Sequence, residues 1–107
     1  MVESIEHLLN APVSGAEAPT LARLEEALTD GYAHALTLEA ERLRLERRIS
    51  EVARQVDGVD FSAFAAELTS LGRRLTSADR ELEQLRPLLD GLQQRARESR
   101  RAVPATS

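Results

Sequence analysis

A chain of 107 residues with 30% charged side chains and only Tyr32, Phe61 and Phe64 as aromatics has little bulky apolar material for a globular core, so an elongated helical object is expected. The absence of cysteine excludes disulfides, iron–sulfur clusters and thiolate zinc, and it suits a reducing, cytoplasmic setting. The formal net charge is −4, yet residues 1–41 hold eight acids against Arg23 alone, whereas residues 91–107 hold four arginines against Glu98.

Ends of opposite sign favour a chain folded back on itself and penalise a parallel arrangement of like ends. Every basic residue is arginine, which with abundant alanine and leucine suggests a GC-rich, bacterial coding sequence. At the N-terminus, "MVESIEHLL" places Glu3 and Glu6 where a secretory signal carries lysine or arginine. No apolar run approaches the roughly 20 residues that a bilayer demands, so no membrane partner is expected.

Residues 1–19 read as a short amphipathic turn, with Ile5, Leu8 and Leu9 on one side, followed by a flexible linker rich in Pro, Gly and Ser. Helix one is expected over about 20–56. Its a and d positions are Leu21, Leu24, Leu28, Gly31, Ala35, Leu38, Arg42, Leu45, Ile49, Val52 and Val56, apolar except at Gly31 and Arg42. A turn at 57–60 follows, with Gly58 suited to a left-handed helix end and Asp60 to an N-cap. Helix two is expected over about 61–101, with Phe61, Phe64, Leu68, Leu71, Leu75, Ala78, Leu82, Leu85, Leu89, Leu92 and Ala96 in its seam. Residues 102–107 are expected to form a disordered tail.

So short a turn forces the helices antiparallel. The a residues then pair as Val56/Phe61, Ile49/Leu68, Arg42/Leu75, Ala35/Leu82, Leu28/Leu89 and Leu21/Ala96, and Gly31 faces Leu85 in a d layer, with no slippage along the ladder. Flanking g positions match Arg48 with Glu67, Glu41 with Arg74 and His34 with Glu81, so charge selects the same register. The fold class is therefore all-α, an antiparallel two-helix coiled-coil hairpin.

Helix one carries a second apolar stripe outside that seam, Tyr32, Leu36, Ala40 and Leu43, and the corresponding edge of helix two is small, with Ala65, Thr69, Gly72 and Thr76. A homodimer forming a four-helix bundle buries both, and a foreign helix could use the same face. At Gly31 and Pro87 the simpler reading is that the glycine makes room for Leu85 and the proline curves helix two; the alternative is a shallow notch for a protein partner, with His34, Arg86 and Leu88 around it.

Catalytic chemistry is scarce. His34 with Asp30 and Glu81 reads more simply as a salt-bridge partner than as a metal cluster, and the chain has no phosphate loop or nucleophile elbow. No enzyme activity, cofactor or metal is expected. Arg42 reads as a side chain snorkelling over Leu75. Arg95, Arg97, Arg100 and Arg101 could neutralise phosphates, but without stacking aromatics in an acidic chain their nearest negative surface is Glu25 and Glu26, so nucleic acid is not an expected partner.

In layout, residues 20–100 with the turn Val56-Asp57-Gly58 resemble the small secreted Trp-x-Gly helical hairpins of actinobacterial export systems. Valine stands here in place of the motif's Trp, and the C-terminal Tyr-x-x-x-Asp/Glu signal is not found. Ser77, Arg80 and Gln84 resemble part of the Glu, Ser, Arg, Gln, Asp motif of the anti-sigma hairpin that binds cyclic di-GMP, with Arg73 and Leu88 at its first and last places. That resemblance implies a ligand-gated regulator in which Arg73, Ser77, Arg80 and Gln84 contact a cyclic dinucleotide. The residues themselves point first to a non-enzymatic coiled-coil adaptor or regulatory protein.

Overall fold

The computed structural model describes residues 1–13, 15–55 and 60–102. Their regular structure is helical throughout: α1 (Val2–Leu9), α2 (Leu21–Arg54) and α3 (Phe61–Ala102), with the long helices α2 and α3 packed together. Most of the expected turn, including Gly58, and the tail beyond Ala102 lie outside the described residues.

Both long helices begin where the sequence supplies a cap. Thr20 Oγ1 accepts the Arg23 N–H at 3.1 Å, and Asp60 Oδ1 accepts the Ser62 N–H at 3.0 Å, each satisfying a donor that the first helical turn leaves unpaired. α2 ends at Arg54, slightly before the expected Val56, with a tightened closing bond from the Gln55 N–H to the Val52 carbonyl at 3.1 Å.

The chain divides into two compact units, residues 36–83 and residues 1–35 with 84–107. In the first unit, rising numbers on α2 meet falling numbers on α3: Glu41 lies 2.9 Å from Arg74 and Arg48 lies 2.7 Å from Glu67, which makes the pair antiparallel in the register expected from charge. Leu45, Val52 and Leu71 form its buried centre, packed by Ile49, Phe64, Leu68 and Leu75. All seven are a or d positions. Phe61, also an a position, is 76% exposed, and its ring tilts towards Phe64 with centroids 6.4 Å apart. Its expected partner, Val56, lies outside the described residues.

The second unit has three helices. Leu24, Leu85, Leu89, Leu92 and Ala96 are buried at seam positions, and Glu25 pairs with Arg100 at 2.9 Å. α1 adds Ile5, only 1% exposed, and Leu8. The segment expected as a short turn before a linker is thus a docked helix. An isolated helix of eight residues is marginal in water. Burying an aliphatic side chain contributes roughly 1.5–3 kcal/mol, so docking is what holds α1 helical.

α3 runs through Pro87 without interruption. Pro87 is exposed while Leu85 and Leu89 on either side of it are buried, as an outward position in the heptad requires.

Candidate functional site

The two flanks of the α2–α3 pair in residues 36–83 differ in chemistry. On the g flank, the Glu41 carboxylate accepts hydrogen bonds from Arg44 at 2.8 Å and Arg74 at 2.9 Å, and these hold its pKa below the ordinary value. Arg48 donates through Nε and Nη2 to Glu67 Oε1 at 3.1 and 2.7 Å, and this bonding raises the guanidinium pKa. Because the Glu41 value is depressed on folding, its contribution is present above the unfolded-state pKa and is lost as pH falls through the folded one. Glu41→Arg is expected to lower the urea midpoint modestly, less so in 1 M salt, and adding Arg74→Glu to recover the cross-helix share but not the contact with Arg44. Purely additive losses in that cycle would show that residues 41 and 74 do not interact.

The opposite flank carries small and apolar side chains beside the Arg42 ion pairs with Glu46 and Asp79. Leu36 is 67% exposed and Leu43 52%, with Ala40 exposed between them on α2. On α3, Ala65 and Gly72 are half-buried and Thr69 and Thr76 exposed, and a Cβ added at Gly72 would meet nothing within 4 Å. In the other unit Tyr32 is also exposed, with its hydroxyl donating to Gln93 Oε1 at 3.5 Å.

Gly31 is buried, and the space left by its missing side chain is taken up from within the chain. A Cβ there would run into Leu89 Cδ2 and approach Ile5 Cδ1 to 3.4 Å. The expected notch is therefore not an open one. Arg86 and Pro87 are exposed, and His34 and Leu88 half-buried, so these residues do not share one surface with Gly31.

Arg95, which the sequence groups with the basic tail, has a specific role at the end of α1. Its Nη1 donates to the carbonyls of Leu8 at 3.0 Å and Leu9 at 2.7 Å, and its Nη2 to those of Ala11 at 2.8 Å and Pro12 at 2.7 Å. The last carbonyls of a helix have no partner inside it, and a guanidinium fork is suited to collect several at once. Leu9 completes the seat: its Cδ1 lies 3.3 Å from where a Gly91 Cβ would stand. The available sequence signal is an uncovered apolar triplet together with two glycines.

Arg73, Ser77 and Arg80 are exposed along α3 in residues 36–83, and Gln84, also exposed, belongs to the other unit. An open groove of about 490 Å³ takes in Ala65, Thr69, Arg73 and Arg74 but not Ser77 or Arg80. Arg42 turns its guanidinium out of the seam to Asp79 at 3.4 Å and Glu46 at 3.9 Å, leaving a buried Nε without a hydrogen bond. Among the described residues no group of His, Cys, Asp or Glu could hold a metal ion, and no helix is long and apolar enough to cross a membrane. Compared with known proteins, the chain matches no family model, no curated protein and no solved structure.

Proposed function

We propose that the protein is a non-enzymatic helical interaction module that self-associates through the flank bearing Leu36, Ala40 and Leu43 and, as a four-helix bundle, presents its remaining surface to a protein partner. The observation that supports this reading is the exposure of Leu36 and Leu43 on the same unit as the open Gly72 surface. Bulky side chains on α2 and small ones on α3 are self-complementary. A twofold axis can lay the leucines of one protomer over Ala65 and Gly72 of the other, and repeat the same contact in reverse. Small residues at such a contact let helix backbones approach closely, while the ion-paired g flank stays in solvent.

Sedimentation at micromolar concentration should give a mass near twice 11.8 kDa, and Leu36→Glu with Leu43→Glu should return it to the single-chain value without loss of helicity. A wild-type monomer with a fully helical spectrum excludes the bundle. Micromolar binding of cyclic di-GMP, lost on Arg73→Ala with Arg80→Ala, would replace the adaptor reading with the ligand-gated one.

A further inference from the structure

Arg42 is the one charged residue at a seam position in residues 36–83, where every other a or d residue is apolar. A guanidinium in a leucine seam costs stability unless its donors are used, and those of Arg42 are poorly used. Its Nε is buried and makes no hydrogen bond. Its acceptors, Asp79 Oδ1 at 3.4 Å and Glu46 Oε1 at 3.9 Å, stand well beyond the 2.7 and 2.9 Å at which Arg48 and Arg74 hold their carboxylates on the other flank. Both acids keep free surface, the Asp79 side chain being 43% exposed and that of Glu46 52%.

Place matters as much as bonding. The arginine turns outward on the flank of Leu43 and Gly72, not on the ion-paired one. Glu46 follows Leu43 by about one turn of α2, and Asp79 follows Gly72 by about two turns along one line of α3. The three charges thus lie beside both sets of side chains that self-association would cover. A second molecule laid across that flank takes water from all three at once, and burying an incompletely paired charge is destabilising. An apolar helix leaves them unserved. A second copy brings its own carboxylates and guanidinium to the same place, because a twofold contact sets identical surfaces against each other.

We propose that this cluster is the polar lock of the self-association, in which Arg42 of each copy takes a carboxylate, Asp79 or Glu46, of the other. The inference rests on the self-association reading and adds to it what selects the partner: the leucines supply affinity, and the reciprocal charge pairs reject helices without a matching acid. The cluster is incomplete in one chain and completed by the second. Stability is given up at residue 42 for that selectivity, as it is at polar a positions of coiled coils.

The test compares full-length variants by sedimentation, with urea denaturation at concentrations where the chains are single. Arg42→Met should raise the urea midpoint, since an apolar side chain suits the seam, and yet weaken the dimer at least about tenfold. An unchanged dissociation constant overturns the lock and leaves association through the leucines standing, whereas a monomeric wild type overturns both. Arg42→Glu in one chain, and Glu46→Arg with Asp79→Arg in another, set like charges together in each homodimer and opposite charges in the mixed one. Each variant alone should be monomeric, and their mixture should give a one-to-one heterodimer. Two helical variants that do not combine overturn the proposal; should either fail to fold, the Arg42→Met result decides.

Discussion

Leu92→Ala is expected to destabilise the protein by about 2–5 kcal/mol, the range for truncating a fully buried leucine whose surroundings only partly collapse. Leu92 is 0% exposed and sits in the three-helix unit, where α1, α2 and α3 all contribute buried side chains. With a urea dependence of roughly 2 kcal/mol per M, the midpoint should fall by about 1–2.5 M, and the loss is a large share of the roughly 5–15 kcal/mol that holds a typical domain. Phe61→Ala provides the control. Phe61 occupies a seam position in the same heptad pattern, yet at 76% exposure its loss should stay within about 0.5 kcal/mol. A loss at Phe61 comparable to that at Leu92 would mean that the ring is covered in solution and that the end of α3 is packed by something beyond its own unit.

That pair of substitutions marks where sequence pattern and structure part. The a/d ladder is legible because its period is sustained for heptad after heptad, and every described buried hydrophobic outside α1 falls on it. Register is legible because the charges at Glu41, Arg48, Glu67 and Arg74 agree with the leucines. α1 is not legible as a packed element, since a single apolar turn at Ile5, Leu8 and Leu9 is too short to display a period. Nor is Arg95, because an arginine that binds carbonyls has no partner side chain to pair with it in a sequence, and the neighbouring Arg97, Arg100 and Arg101 make it look like part of a charge run.

Gly31 shows a subtler limit. Counting layers sets it opposite Leu85, but helical side chains lean towards their own N-terminus, and on antiparallel α3 that tilt carries Leu89 from the Leu28 level towards Gly31. The missing side chain is thus filled by Leu89 from one side and Ile5 from the other. The sequence locates the gap correctly. It does not reveal that the occupants are Leu89 and Ile5 rather than Leu85.

Pro87→Ala should act in the opposite direction and raise stability, by up to about 3 kcal/mol, the penalty proline carries relative to alanine inside a helix. Proline cannot donate to the carbonyl four residues earlier, that of Glu83, and its ring crowds that carbonyl. Alanine removes both defects. The gain should fall below the full penalty, because Pro87 is exposed and water can serve a carbonyl on that face. Leu85 at 0% exposure and buried Leu89 show that the seam already closes around the proline, so alanine needs no repacking to be accepted. Urea denaturation should therefore give a higher midpoint with an unchanged slope. A lower midpoint would mean that α3 needs the backbone geometry Pro87 imposes to bring Leu89 and Gly91 against Ile5 and Leu9; the hydrogen-exchange protection of Ile5 and Leu8 would then fall with it, linking an outward-facing proline to the docking of α1.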